Sequence, residues 1–235
     1  MSKKALKSGF LAAALCGALV ATAASAEAAL ILRLSDGVST VTITDAGAGD
    51  VNPVAGAVTF VGAVGSFGVN VSTGLSKPFL PGAELDLNSV SATSTGSTGG
   101  TLTIELTDTD YMSGIGSPGI LSWLYGGTTT ADSSVTGQGW KNLDNEEFGL
   151  GPLQTGLLGP FTGAFSTSGS VAHGVLTDPY SMTIRIIYTA TGGGQTYSGN
   201  FNLQNTPVPE PAGVALFGLG LTAVAMAFRR RRRTS

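Results

Sequence analysis

The chain has 235 residues, with 12 Lys plus Arg against 15 Asp plus Glu, one His and one Cys. Eight of the 12 basic residues lie in the two ends, so residues 29–206 keep only Arg33, Lys77, Lys141 and Arg185 against 13 acidic side chains, a formal charge of −9. Such a body argues against nucleic-acid binding, which needs Lys and Arg on the phosphates, and against docking through charge on anionic lipid.

Residues 1–26 read as a secretory signal peptide. Lys3, Lys4 and Lys7 precede an apolar stretch from Gly9 to Ala24, and Ala24-Ser25-Ala26 is a small-x-small exit, with Ala24 and Ala26 as the cleavage-determining positions. Cys16 follows Leu15, which is too large for lipoprotein processing. Cleavage removes the one cysteine, so the mature chain has no disulfide, no thiol nucleophile and no thiolate metal site.

Residues 27–206 form the body, long enough for one domain with a sizeable core. Its pattern is period-2 alternation rather than helical spacing. Leu30, Leu32 and Leu34 alternate with Ile31, Arg33 and Ser35, and Asp36-Gly37 is a hairpin signal before Val41 and Ile43. Val58 to Val61 and Phe67 to Val71 read as strands around a Gly-containing turn, and Leu102 to Leu106 alternates cleanly. Residues 114–165, rich in Gly and Pro, read as long loops with one or two strands around Ile120 to Tyr125. Met182, Ile184, Ile186 and Tyr188 share one face; Gly192-Gly193-Gly194 then turns the chain into Gln195 to Leu203, with Tyr197, Phe201 and Leu203 on the apolar side. Glycine, at 35 residues, is about twice its ordinary share of ~7%. The expected fold class is all-β, an antiparallel β-sandwich of jelly-roll-like or immunoglobulin-like topology, flanked by an N-terminal signal helix and a C-terminal transmembrane helix.

Chemistry-bearing residues are few. His173, the single His, lies near Asp178 in sequence, but Gly-x-Ser-x-Gly is absent, so no Ser-His-Asp site is expected. Asp45, Asp50, Asp108 and Asp110 place oxygen ligands in expected loops, which suits Ca²⁺; ordinary solvated turn residues are the alternative, and no cofactor is expected. Asp108, Asp110, Glu146 and Glu147 could furnish a glycosidase carboxylate pair, though nothing in their spacing indicates one. Trp123, Tyr125 and Trp140 could stack on a sugar ring or serve as core.

Residues 207–235 carry the most specific signal. Pro207-Val208-Pro209-Glu210-Pro211 leads into the apolar run Ala212 to Phe228, and Arg229, Arg230, Arg231, Arg232 and Arg233 follow directly. As a helix, 17 residues span roughly 26 Å, near the lower limit for a bilayer core. The arginines favour the cytoplasmic side. Pro209 and Pro211 keep the tripeptide extended and unable to join a helix or sheet.

This tail resembles the PEP-CTERM sorting signal over Val208 to Thr234. The resemblance implies that Pro209, Glu210 and Pro211 are the recognition element, that residues 212–228 are an anchor, and that Arg229 to Arg233 are the cytoplasmic stop. It implies the secretion machinery and an exosortase-like membrane transpeptidase as partners, in bacteria that make exopolysaccharide. Stretches like Gly65 to Pro78 and Gly100 to Ile104 occur in other PEP-CTERM proteins. The expectation is an exported, non-enzymatic cell-envelope or extracellular-matrix protein, anchored in the inner membrane before processing. The alternatives are a carbohydrate- or calcium-binding module adhering to exopolysaccharide and a carboxylate-dependent hydrolase.

Overall fold

The computed structural model describes residues 30–112, 118–208 and 219–221. The signal peptide with Ala24 and Ala26, the tripeptide Pro209 to Pro211, Arg229 to Arg233 and all of the 212–228 run except the helical residues 219–221 lie outside the described residues. Among the described residues no helix is long and apolar enough to cross a membrane.

Among the described residues thirteen strands follow in order: β1 (Ile31–Ser35), β2 (Thr40–Thr44), β3 (Ala57–Val64), β4 (Phe67–Leu75), β5 (Ala83–Ser94), β6 (Gly100–Tyr111), β7 (Gly119–Thr129), β8 (Ser133–Asn142), β9 (Leu153–Gln154), β10 (Leu158–Phe161), β11 (Ala164–His173), β12 (Tyr180–Ala190) and β13 (Thr196–Pro207). They form two antiparallel sheets, one ordered β10-β8-β12-β6-β1-β2 with β9 also on β8, the other β11-β7-β13-β5-β4-β3. Within them, β6-β12-β8-β10 faces β5-β13-β7-β11. The chain runs out along β5 to β8, switching sheet at each strand. It returns along β10 to β13, so that β10 pairs β8, β11 pairs β7, β12 pairs β6 and β13 pairs β5. That is the strand order of a jelly roll. β1-β2 and β4-β3 extend the two sheets on one side.

The alternation explains the layers. Leu102, Ile104 and Leu106 of β6 and Ile184, Ile186 and Tyr188 of β12 point inward and are fully buried, as are Leu85 and Leu87 of β5 and Phe201 and Leu203 of β13. All belong to one apolar cluster shared by both sheets. Burying each such side chain is worth about 1.5–3 kcal/mol relative to exposure. Rings join the layers, with Phe67 edge-on to Tyr188 at 5.9 Å and Tyr188 stacked on Tyr197 at 5.6 Å. The Asp36-Gly37 turn forms as expected. Asp36 Oδ1 accepts the Val38 and Ser39 amides at 3.0 and 2.6 Å, which lowers its carboxyl pKa, and Gly37 takes φ 89°.

The strand expected around Ile120 to Tyr125 forms as β7, but the long loops expected for the rest of residues 114–165 are corrected. That region contains β7, β8, β9, β10 and the start of β11. β8 shows little apolar alternation because, beside Val135, its central inward positions are Gly137 and Gly139. A Cβ at Gly137 falls 2.6 Å from Tyr125, and one at Gly139 falls 3.0 Å from Leu203. Large side chains from the opposite sheet fill the space that β8 leaves. The loop reading of Asp108-Thr109-Asp110 is corrected as well: β6 runs through all three to Tyr111.

Candidate functional site

At one end of the inter-sheet space the apolar rows give way to a buried polar network. Following Leu102, Ile104 and Leu106 along β6, the next inward residue is Asp108, fully buried. Its Oδ2 accepts from Ser76 Oγ at 2.5 Å and Lys77 Nζ at 2.8 Å, and its Oδ1 accepts the Thr109 amide at 2.8 Å. Ser76 Oγ also meets the Tyr111 hydroxyl, which donates to the Glu84 carbonyl at 3.0 Å. Lys77 donates to the Thr109 carbonyl as well and lies 4.3 Å from the Tyr111 ring centroid. Tyr111 stacks on Tyr180 at 5.7 Å, and Lys141 Nζ sits 3.5 Å from the Tyr180 centroid. Asn205 Nδ2 donates to the Tyr180 hydroxyl at 3.1 Å, and its Oδ1 contacts His173 Nε2 at 2.7 Å.

Burial dominates the electrostatics here. It pushes the Asp108 carboxyl up against the opposing pull of Lys77 and Ser76, and raises the Tyr111 phenol further with the help of the Asp108 charge. The Lys141 ammonium is pushed down to about 8 by burial, opposed by Asp178. The acceptors of Asp108 are taken up by protein donors, and the network closes that end of the core.

The other cations of the body are also engaged. Glu105 bridges Arg33 Nη2 at 2.6 Å and Arg185 Nε at 2.7 Å, across β1, β6 and β12. Arg33 lies 3.7 Å from the Phe148 ring centroid and Arg185 5.1 Å from that of Trp140.

The four candidate calcium ligands do not converge. Asp45 and Asp50 sit in the β2–β3 connection, where Asp50 accepts amides of Asn52, Thr59 and Ala46 at 2.8, 2.9 and 3.0 Å, and Asp45 accepts that of Gly56 at 2.6 Å. Asp110 and Asn145, both at positive φ, exchange two hydrogen bonds of 2.8 and 2.7 Å that pin the β8–β9 connection to β6. The Glu146 carbonyl accepts Ser181 Oγ at 2.6 Å in the same connection, to which Glu147 belongs. Among the described residues no three His, Cys, Asp or Glu side chains gather as a metal site. Tyr125 and Trp140 are buried, and Trp123 is half-buried with its ring against Gly169. His173 ends β11, bonded to Asn205 and to the Gly174 carbonyl. Sequence reading did not single out Ser76, Lys77, Tyr111, Tyr180 or Asn205 as a group. They are separated by up to 129 positions (Ser76 to Asn205), and only the strand order brings them together.

Asp86 on β5 yields a pH prediction. Burial, then the neighbouring Glu84 charge, raises its carboxyl to about 6. The folded state therefore holds this proton more tightly than the unfolded chain. The stabilisation is complete below 3.8 and is lost as pH rises through about 6. Asp86→Asn is expected to gain about 1 kcal/mol at pH 7, after discounting for partial exposure, and nothing at pH 3.5. Urea titrations at the two pH values check this; an equal effect at both would refute it.

The last strand positions the tail. β13 is an interior strand between β7 and β5, and its final ladder pair is Pro207 with Gly119. The Val208 amide then donates to the Pro118 carbonyl at 2.8 Å. The chain thus leaves the sheet one residue before Pro209. Fold and tail together define an all-β protein with a C-terminal sorting segment placed directly on an interior strand. Residues 207–233 match the family model described as the PEP-CTERM protein-sorting motif, and the chain therefore carries that motif. The motif implies export and targeting to exosortase. No curated protein matches the chain. Among solved structures, the enzymatically active domain of bacteriophage CBA120 tailspike protein 4 aligns at 11% identity with a TM-score of 0.31, over 61% of this chain and 19% of that one.

Proposed function

We propose that this chain is an exported envelope or extracellular-matrix protein whose body is a non-enzymatic structural module delivered by its tail. The match of residues 207–233 to the sorting motif carries the reading. The signal peptide starts translocation, the 212–228 helix stops in the inner membrane, and Arg229 to Arg233 hold its far end in the cytoplasm. Pro209, Glu210 and Pro211 then lie where body meets bilayer, kept extended by the two prolines and available to an exosortase-like transpeptidase. A structural role for the body is supported by Asp108, whose oxygens are met by Ser76, Lys77 and the Thr109 amide, and by Asp50, whose two oxygens both accept backbone amides.

Replacing Pro209, Glu210 and Pro211 together by Ala is expected to leave the tail uncleaved and the protein in the membrane fraction, while the wild-type chain loses its tail. Processing of the variant at the wild-type rate would refute the assigned recognition element. Calorimetry of the mature chain with Ca²⁺ is expected to show no binding heat; one-to-one binding abolished by Asp50→Asn would overturn the structural reading of the β2–β3 connection.

A further inference from the structure

Both the first described residue, Leu30, and the exit of β13 at Val208 lie at the same end of the jelly roll. The Leu30 carbonyl accepts the Asp45 amide there, and Pro207 pairs with Gly119. Ser76–Asp108 and Asn205–Tyr180 contacts tie the two sheets at that end, while Phe67–Tyr188 and Tyr188–Tyr197 tie them toward the other. The connections β2–β3, β4–β5, β6–β7, β8–β9 and β11–β12 all turn at the tail end. Each carries an exposed large apolar side chain: Val51 and Val54, Phe79, Met112, Leu150 and Val175, all 45–64% exposed. Among the described residues of the opposite end, Val38 is the one such side chain.

The tether sets what these side chains meet. From Val208, still bonded to the body, the apolar run at Ala212 is four residues away, at most about 14 Å of extended chain. The headgroup layer outside the hydrocarbon is itself about 5–7 Å thick. A body held on so short a tether has this end against the bilayer surface whenever the 212–228 helix is inserted.

We propose that the loop end carrying Phe79, Met112 and Val175 seats on the lipid surface while the tail is in place, orienting the body for processing; this rests on the sorting reading above. The contact is apolar rather than electrostatic. Asp144, Glu146 and Glu147 in the β8–β9 connection oppose an anionic surface, so the seating is tighter on neutral lipid. Tail removal releases the face.

The mature chain has no cysteine, so single Cys residues at 79, 112, 175 and 38 can each carry an environment-sensitive fluorophore. In the mature chain with its tail, reconstituted into phosphatidylcholine vesicles, the first three labels are expected to shift to the blue and to be quenched by lipid-borne spin labels. The label at 38 is expected to stay water-like. Adding phosphatidylglycerol should weaken the shifts. Water-like spectra at all four positions on a chain that floats with the vesicles would overturn the seating and leave the anchor intact. A chain that does not float would overturn the anchored tail itself, and the seating with it.

Discussion

Asp108→Ala is expected to lower the stability of the body by about 3 kcal/mol at pH 7, within the range for breaking a buried pair from one side. Alanine leaves Ser76 Oγ, the Thr109 amide and the Lys77 ammonium without the oxygens they now share. Lys77 keeps a quarter of its side chain exposed and can turn toward water, which holds the cost near the low end. The ion pair is not the main contributor. Burial outweighs the attraction of Lys77 and raises the Asp108 carboxyl, so the charge itself is held at a cost. The loss in alanine comes from stranded donors instead. Asp108→Asn keeps one accepting oxygen, enough for Ser76 and Lys77, but turns an NH2 donor toward the Thr109 amide, so it should cost about 1–2 kcal/mol, below alanine. Denaturant titration of the three chains decides this. An alanine variant within 1 kcal/mol of wild type, or an asparagine variant as damaged as alanine, would contradict the network as described.

Gly137→Val sets two effects against each other. Valine favours strands over glycine by a few tenths to about 1 kcal/mol, so propensity alone predicts a more stable β8. Packing predicts the reverse. A Cβ at Gly137 already lies 2.6 Å from Tyr125 Cε1 and 3.0 Å from Phe201 Cε1, two rings of the opposite sheet stacked on each other at 4.7 Å. Neither ring has room to retreat, since Tyr125 also meets Phe161 and Phe165 at 6.0 and 5.0 Å. Overpacking of this kind costs about 3 kcal/mol, and packing wins. Thr136→Val, on the outward face of the same strand, exchanges one β-branched residue for another without the clash and should stay within about 0.5 kcal/mol of wild type. A Gly137 variant as stable as wild type would mean that the sheets are not closed over β8.

The same pair of layers explains what could be read in advance. β1, β2, β6, β12 and β13 were legible because each supplies its own apolar row: Leu32 and Leu34, Ile43, Leu102 to Leu106, Met182 to Tyr188, and Tyr197 to Leu203. β8 was not, because Gly137 and Gly139 accept the bulk of the other sheet, and a strand that contributes space instead of volume has no period-2 signal. β7 was blurred by Ile120 and Leu124, apolar residues on its outward face beside the inward Leu121 and Tyr125. Asp108-Thr109-Asp110 looks like a turn by composition; long-range bonds to Ser76, Lys77 and Asn145 hold it in a strand. The polar end of the core depends on the strand order, which local pattern does not encode. The sorting segment was readable in full because it is linear: a tripeptide, an apolar run and a basic stop need only adjacency to be recognised.

Intact mass of the native protein, recovered separately from membranes and medium, tests the sorting assignment most directly. Sorting by tail processing predicts a mature species lacking both the N-terminal signal and everything after about Glu210. A membrane species that retains residues 212–235 as its stable end state would make the tail a permanent anchor and contradict processing by exosortase.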